Sequence, residues 1–291
     1  MALAVPNFSE GRDPDAIAAI ATAFGRAEIL DRHSDEVHNR SVLTLAAPAG
    51  ELAGALIAGA AACLERIDMT ARGGEHPCVG ALDVCPVVFA SAGGRELARE
   101  LALETAAAIG ELGVPVFLYG ELASDPRRVE RAYFRRGGLA ELAERMRGGL
   151  VADFGPAEPH PTAGATLVTA RPPLAAFNLE LDTADLSIAR AVAAGLRESG
   201  GGLPGVRAIA IDLGDRAQVS TNVHDPAAVP LGVVIDEVRA LAAVHDARPV
   251  AAEVIGLVPE AALRGLSEDV PLRDFDPARH VLENRLESGA A

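Results

Sequence analysis

The sequence contains no lysine, and all 26 of its basic residues are arginines. This absence excludes a catalytic Schiff-base lysine and a P-loop for nucleotide phosphates, because both need a lysine. Aspartate and glutamate together number 41, which gives a formal net charge of −15. So acidic a chain is a poor nonspecific binder of nucleic acids and of anionic membranes. An anionic ligand would therefore have to meet a local cluster of arginines.

Cysteines and long apolar runs are also scarce. Cys63, Cys78 and Cys85 have no CxxC spacing and are too few for a disulfide framework, so we expect free thiols in a reducing compartment. No apolar run approaches the roughly 20 residues that cross a bilayer. The first residues, MALAVPNFSEGR, lack the basic start of a signal peptide. We therefore expect a cytoplasmic protein.

Hydrophobic periodicity predicts alternating strands and helices in both halves of the chain. In the first half we expect strands near 3 and over 28–32, 41–47, 82–90 and 114–119, with helices over 14–25, 51–67 and 95–112. The second half predicts strands over 174–181, 206–213, 218–223 and 250–257, a helix capped by Thr183 that ends near 199, and a helix over 231–245. That order is βαββαβ, the ferredoxin-like unit, and the first half adds one helix–strand pair to it.

The predicted fold class is therefore α+β, with two ferredoxin-like subdomains at 1–172 and 173–291. They would meet near the stretch DFGPAEPHPTAGAT, which is too rich in glycine and proline for a core strand. A plain linker and a ligand crevice at the subdomain boundary both fit this stretch.

His76 is the strongest candidate for chemistry among the seven histidines. It lies in the loop GGEHPCVGALDVCP, just before an apolar strand, where a rigid edge can present a catalytic side chain. Histidine both takes and gives a proton near neutral pH. A solvated loop histidine fits the sequence equally well. Asp83, in the strand that follows, could orient the imidazole, bind an amine or be structural. His33, Asp35 and His38 lack the spacing of a metal site.

Polar residues recur at the ends of predicted strands, in NFSEGR, HNRS and QVSTN. Their amides and guanidiniums could grip carboxylates, as arginine does in bidentate fashion. The same residue types also serve as turns and caps.

These stretches resemble the formiminotransferase family. VPNFSEGR, HNRSV, GEHPCVGALDVCP and VPVFLYGE are similar to its N-terminal subdomain. HPTAGATLVTAR, AFNLEL, AQVSTN and EVIGLVPEAAL are similar to the part that follows. The resemblance covers nearly the whole chain in order. It implies transfer of the formimino group of N-formimino-L-glutamate to N5 of tetrahydrofolate, a step of histidine degradation. The cyclodeaminase domain of the bifunctional animal enzymes has no counterpart in these residues.

The resemblance also implies a site. It implies two ferredoxin-like subdomains with facing sheets and outer helices around a ligand tunnel, and it makes His76 the general acid and base. It assigns folate contacts to Pro161, Thr162, Ala163, Gly164, Ala165, Thr166, Leu167, Val168, Thr169 and Ala170. Glycine there would let the backbone approach a flat pterin. With the strand-end residues, the expected substrate contacts are Asn7, Asn39, Arg40, Asp83, Arg171, Asn178 and Asn222.

The expected partners are tetrahydrofolate as a co-substrate and the formimino donor, without a metal, nucleic acid or membrane; a homodimer is left open. Two positions depart from the family pattern: HPC replaces HPR at Cys78, and VTAR replaces TGAR at Thr169. Either a donor contact is lost at Cys78, or another arginine such as Arg40 or Arg171 supplies the charge. The alternatives are formyl transfer between 5-formyltetrahydrofolate and glutamate, and a folate-binding protein without turnover.

Overall fold

The computed structural model describes residues 1–71, 73–74 and 76–288. The chain divides into two compact units, Met1–Pro172 and Pro173–Ala291. Each unit has one sheet, with seven strands in the first and four in the second, so the predicted α+β class is confirmed. Within the described residues, no helix has the length and apolar character needed to cross a bilayer.

The elements of the first unit follow the predicted order closely. They are β1 Ala2–Ala4, β2 Asn7–Phe8, α1 Pro14–Ala23, β3 Glu28–Asp35, β4 Arg40–Ala47, α2 Ala49–Arg66, β5 Leu82–Val88, α3 Arg95–Glu111, β6 Val116–Leu118, α4 Arg131–Arg135, α5 Gly138–Arg147 and β7 Thr166–Arg171. Helix α1 begins where the sequence indicates, because Asp13 caps it by accepting hydrogen bonds from two amides of the first turn and Pro14 opens it.

The sheet of the first unit extends a ferredoxin-like core. Strand β3 pairs with β4, β4 pairs with β1 and β2, and these two pair with β5, all antiparallel. Strand β7 then lies parallel to β5, and β6 lies parallel to β7. Strand β7 and helices α4 and α5 were not among the predicted elements.

The second unit is the βαββαβ arrangement that the sequence predicts. Its elements are β8 Ala175–Leu181, α6 Leu186–Leu196, β9 Val206–Asp212, β10 Ala217–Val223, α7 Leu231–Ala243, β11 Pro249–Ile255, α8 Pro277–His280 and α9 Leu282–Ser288. The strand order is β11-β8-β10-β9, and every pair is antiparallel. Alternate residues of β8, such as Phe177 and Leu179, enter a core with α6 and α7.

The predicted cap of α6 is wrong by two residues. The N-cap is Asp185, whose carboxylate accepts a hydrogen bond from the amide of Ser187. Thr183 lies two residues earlier, and its hydroxyl accepts a hydrogen bond from the amide of Asp185 at 3.1 Å. Both side chains suit capping, and the carboxylate nearer the first helical residue takes the role.

Candidate functional site

The loop between α2 and β5 carries His76, and Asn39 connects it to the hairpin of β3 and β4. The Asn39 amide donates to the carbonyl of Gly73 at 2.6 Å, and its oxygen accepts from the amide of Gly11 at 2.9 Å. Asn39 has a positive φ of 47°, a conformation that asparagine tolerates better than most residues. Asn39 therefore holds two loops together at the site.

His76 is buried, with 9% of its surface exposed, so the alternative of a solvated loop histidine is wrong. A guanidinium nitrogen of Arg40, Nη1, lies 2.5 Å from Nε2 of His76. Because a guanidinium can only donate, Nε2 is the acceptor and the proton of the neutral ring is on Nδ1. Within the described chain, this buried Nδ1 has no hydrogen-bond partner.

Asp83 is the extra residue of a β-bulge in β5. Asn7 pairs with Val84 and Phe8 pairs with Leu82, so Asp83 has no partner across the strands. Bulges re-aim side chains and occur often beside active sites. The Asp83 carboxylate accepts from the amide of Val79 at 2.8 Å and forms an ion pair with Arg135.

These contacts bear on how Asp83 acts within the chain, and its role as a substrate contact stays a prediction. No hydrogen bond joins Asp83 to His76, so the hypothesis that it orients the imidazole is wrong. Asp83 is 2% exposed, and it anchors both the exit of the loop and the side chain of Arg135.

Helix α4 contributes two arginines that the sequence analysis missed, Arg131 and Arg135. They are four residues apart and lie on one face of the helix. Arg145 of α5 donates to the carbonyls of Tyr133 and Phe134, at 2.6 and 2.8 Å, and so ties α4 down at its C-terminal end. The sequence carries only a weak signal for the two arginines, the spacing of four between Arg131 and Arg135 in RAYFR.

Among the described residues, the site has more positive than negative charge. Burial, with a smaller contribution from the nearby charge of Arg135, lowers the pKa of Arg40 to about 9. Burial also lowers the pKa of Arg131, and it lowers that of Arg171 to about 10, with Arg131 adding to the second effect. The negative charge of Asp83 acts on Arg40 in the opposite direction and raises its pKa.

The same surroundings keep His76 neutral. Burial holds the pKa of its imidazole well below the ordinary value, and the charges of Arg40 and Arg135 hold it lower still. A second histidine, His38, lies with its ring centroid 6.1 Å from that of His76. His38 Nδ1 is 2.8 Å from a carboxylate oxygen of Asp35, which belongs to the end of β3.

The expected folate segment lies against the exit of the His76 loop. The amide of Ala81 donates to the carbonyl of Ala163, and the amide of Ala165 donates to the carbonyl of Val79, both at 2.9 Å. Pro161 is exposed and Thr162 half-buried, whereas the rest of the segment, Ala163, Gly164, Ala165, Thr166, Leu167, Val168, Thr169 and Ala170, is buried.

Glycine in this segment has a packing role within the chain, and the expected approach to a pterin stays a prediction. A Cβ on Gly164 would lie 2.2 Å from the carbonyl oxygen of Val79, and a Cβ on Gly80 would lie 1.9 Å from that of Ala165. The two glycines therefore allow two backbone segments to approach each other, and the space that Gly164 leaves is already taken by the chain. Gly164 also has a positive φ of 71°.

Thr169, which departs from the family pattern, has a structural role in β7. Its hydroxyl donates to the carbonyl of Tyr119 at 2.7 Å, and the residue is 1% exposed. Cys78, the other departure, is half-buried and close enough to Arg40 to act on its charge. Cys63 and Cys85 are free, as expected, and they are buried.

The remaining expected contacts lie in three places. Asn7, on β2, donates to the carbonyl of Val5 at 2.7 Å. Arg171 ends β7, and its guanidinium donates to the carbonyl of Pro172 at 2.9 Å. Asn178 of β8 and Asn222 of β10 belong to the second unit, on the face of its sheet opposite Phe177 and the core. In the described ranges, no His, Cys, Asp and Glu side chains group in a way that could hold a metal ion.

Comparison with known families agrees with the motifs. The profile of the N-terminal subdomain of the formiminotransferase domain matches residues 1–171. The profile of the formiminotransferase domain matches residues 176–268. The chain therefore belongs to the formiminotransferase family, and it is a transferase. The resemblance stated from the sequence is confirmed.

Curated relatives agree over almost the full length. The glutamate formimidoyltransferase of Streptococcus pyogenes is 38% identical over 290 residues, which cover 97% of each chain. That of Thermoplasma acidophilum is 37% identical, over 98% of this chain and 97% of its own. The formimidoyltransferase-cyclodeaminase of Mus musculus is 38% identical over 89% of this chain, which is 50% of the mouse protein.

Proposed function

We propose that this protein transfers the formimino group of N-formimino-L-glutamate to N5 of tetrahydrofolate, with His76 as the general acid and base. The observation that carries the proposal is a buried neutral histidine in contact with Arg40, inside a cluster of arginines with an excess of positive charge. The names of the full-length relatives support the same activity for this chain.

The charge of the cluster suits the proposed donor. N-formimino-L-glutamate carries two carboxylates, and in the described part of the site Arg40 and Arg131 form no ion pair, whereas Arg135 is paired with Asp83. A charge-assisted hydrogen bond to a carboxylate is about twice as strong as a neutral one. The cluster therefore favours a dianionic donor although the whole chain is acidic.

The chemistry is a transfer at the amidine carbon. N5 of tetrahydrofolate attacks this carbon, forming the N5–C bond and moving the electron pair of the C=N bond onto the imino nitrogen. In the tetrahedral intermediate, the carbon is bonded to N5 and to the glutamate nitrogen. The bond to the glutamate nitrogen then breaks as the C=N bond re-forms. One proton leaves N5, and one reaches the departing nitrogen, so the two steps balance.

His76 can move that single proton. The neutral imidazole accepts it from N5, and the imidazolium returns it to the glutamate nitrogen. The surrounding guanidiniums, Arg40 and Arg135 among them, disfavour the imidazolium, so the proton is not retained. Much of the remaining acceleration would come from holding the two substrates in line.

For the folate, we propose the contacts that the resemblance implies, and we expect the exposed residues of the segment to make most of them. Pro161 and Thr162 retain exposed surface, whereas Leu167 and Val168 are enclosed in the sheet of the first unit. The exposed start of the segment, close to the exit of the His76 loop, is the part we expect to meet the pterin. We propose that the protein carries out this transfer in the cytoplasm and without a metal.

A donor-swap assay tests the proposal. The protein is incubated with tetrahydrofolate and N-formimino-L-glutamate, and in parallel with 5-formyltetrahydrofolate and glutamate, and the release or consumption of glutamate is followed. We expect formimino transfer to be faster by at least about tenfold, a difference of about 1.4 kcal/mol in activation free energy. Faster formyl transfer would move the assignment to the formyl donor, and no turnover with either would contradict a transferase of this substrate class.

A further inference from the structure

Arg40 occupies the nitrogen of His76 that a general base must use. Its Nη1 donates to Nε2 at 2.5 Å, and Nε2 is the nitrogen with the lone pair in the neutral ring. The other nitrogen, Nδ1, carries the proton and is buried. As it stands, neither nitrogen of His76 can accept a proton from a substrate.

The Arg40 side chain is otherwise weakly held. Within the described residues, its Nε is buried without a hydrogen-bond partner, and no carboxylate forms an ion pair with its guanidinium. Arg135, its neighbour, already has Asp83 as a partner. In the described chain, the buried positive charge of Arg40 thus has only a neutral acceptor, the His76 ring. An anion would form a stronger hydrogen bond with it.

We propose that a carboxylate of the donor draws Arg40 away from His76, and that this release makes Nε2 available for the proton of the acceptor. The inference rests on the proposed function and adds a condition to it, namely that the base exists only when the donor is bound. Arg40 is then a residue that touches substrate and also positions the proton-transfer step.

Two effects would act together on His76. The N–H that Arg40 donates moves from Nε2 to a carboxylate oxygen, which frees the lone pair. The carboxylate also neutralises the charge of Arg40, the largest influence on the imidazole after burial itself. Both effects favour protonation of the ring.

The charged groups that face His76 come from several elements. Within the described residues they are Arg40 of β4, His38 of the β3–β4 turn with its partner Asp35, Arg131 and Arg135 of α4, Asp83 of β5, and Cys78 of the same loop. Arg135 is paired with Asp83, His38 contacts Asp35, and the charge of Glu130 acts on Arg131, so among the described residues Arg40 is the group whose charge a bound anion would change most.

The test measures the protonation of His76 directly. The imidazole signals of the whole protein are followed by NMR between pH 5 and 8, with and without N-acetyl-L-glutamate, which has the two carboxylates of the donor and an amide in place of the amidine. We expect the ligand to raise the pKa of His76 by about 1 or more, the usual effect of neutralising an adjacent like charge.

The variant Arg40→Gln is the second arm. It should raise the pKa of His76 without ligand and abolish the response to N-acetyl-L-glutamate, whereas Arg40→Lys should retain part of that response. Arg190→Gln, an exposed arginine of α6, is the matched control and should titrate as the parent does.

The proposed displacement of Arg40 is contradicted if calorimetry shows that N-acetyl-L-glutamate binds while the titration of His76 stays unchanged. It is also contradicted by an Arg40→Gln variant whose His76 titrates as in the parent. If formimino transfer occurs in either case, the proposed function stands without the displacement of Arg40. Absence of transfer in the donor-swap assay, with a normal shift of His76, would remove the proposed function and leave the coupling to carboxylates.

Discussion

The two units share a four-stranded ferredoxin-like core, but they differ in where its regularity is interrupted. In the second unit, β8, β9 and β10 pair without a break, and the register shift lies near Pro249 on the edge strand β11. The first unit also has a shift on its edge strand β3. In addition, its central strand is split into β1 and β2, and β5 bulges at Asp83.

The interruptions at the centre of the first sheet are where the site lies. A regular strand sends alternate side chains to fixed faces, whereas a bulge turns one side chain out of that pattern. The bulge gives Asp83 to Arg135 and to the end of the His76 loop. The regular part of the sheet therefore serves as the scaffold, and the split strand and the bulge position the side chains of the site.

Charge pairing differs in the same way. In the second unit, the buried carboxylate of Glu180 pairs with Arg273 at 2.7 Å, and 53% of the Arg273 side chain remains in solvent. In the first, Asp83 and Arg135 are both nearly enclosed, at 2% and 9%. Removing one partner should therefore be costly in the first unit and mild in the second.

The largest expected effect is on stability. Asp83→Asn leaves the guanidinium of Arg135 buried without its counter-charge, and breaking a buried pair in this way costs about 3–5 kcal/mol. Both tyrosines of the chain, Tyr119 and Tyr133, lie in the first unit, and tryptophan is absent, so tyrosine fluorescence during urea unfolding reports on that unit.

The matched variant is Glu180→Gln in the second unit, followed by circular dichroism. Because the Arg273 side chain is half in solvent, we expect the free energy of unfolding to fall by at most about 1 kcal/mol. If the two variants lose equal free energy of unfolding, the buried ion pair of the first unit is no more important for stability than the half-exposed pair of the second.

The next effect is the pH dependence of stability. Folding lowers the pKa of His76, so below about pH 6.5 the unfolded chain binds a proton that the folded chain does not. The free energy of unfolding should then fall on acidification from pH 6.5, by up to about 1.4 kcal/mol per pH unit. Tyrosine fluorescence at pH 7 and 5.5 measures it. His76→Gln should flatten this dependence, and an unchanged slope would mean that the imidazole is not the group responsible.

The smallest expected effect concerns Cys78, where the family pattern has arginine. Because Arg40, Arg131 and Arg135 already supply positive charge, a further guanidinium in Cys78→Arg should leave KM for N-formimino-L-glutamate unchanged or raise it. Cys78→Gln is the neutral control of similar bulk. A contact of about 1.5–3 kcal/mol would instead lower KM tenfold or more, and that result would identify a charge missing from this chain.

Local signals made much of the fold predictable from the sequence. Asp13 and Pro14 define the start of α1, and apolar periodicity gives the long helices, because capping and amphipathicity act over a few residues. Strand β7 was missed because its pairing with β5 and β6 is made across the chain and the glycine-rich stretch before it resembles a linker. Helix α4, over Arg131–Arg135, is too short for a periodic pattern.

The candidate site was predictable in its residue types more than in its contacts. His76 and Arg40 were chosen from their motifs, yet they are 36 positions apart, and no local rule brings their side chains together. The partner of Asp83 was missed for a related reason: Arg135 lies 52 positions away, on an unpredicted helix. Such pairings depend on the tertiary fold.

The measurement that tests the account most directly is a single turnover by wild type and His76→Gln. Enzyme in excess is mixed with tetrahydrofolate and N-formimino-L-glutamate labelled with ¹³C in the formimino group, and transfer of the label to the folate is followed. His245→Gln, an exposed histidine after α7, is the control. We predict that wild type and control move the label at the same rate, and that His76→Gln binds both substrates but is slower by about 10² to 10⁴. Transfer at the wild-type rate by a correctly folded His76→Gln protein would contradict the assignment of His76 as the acid and base.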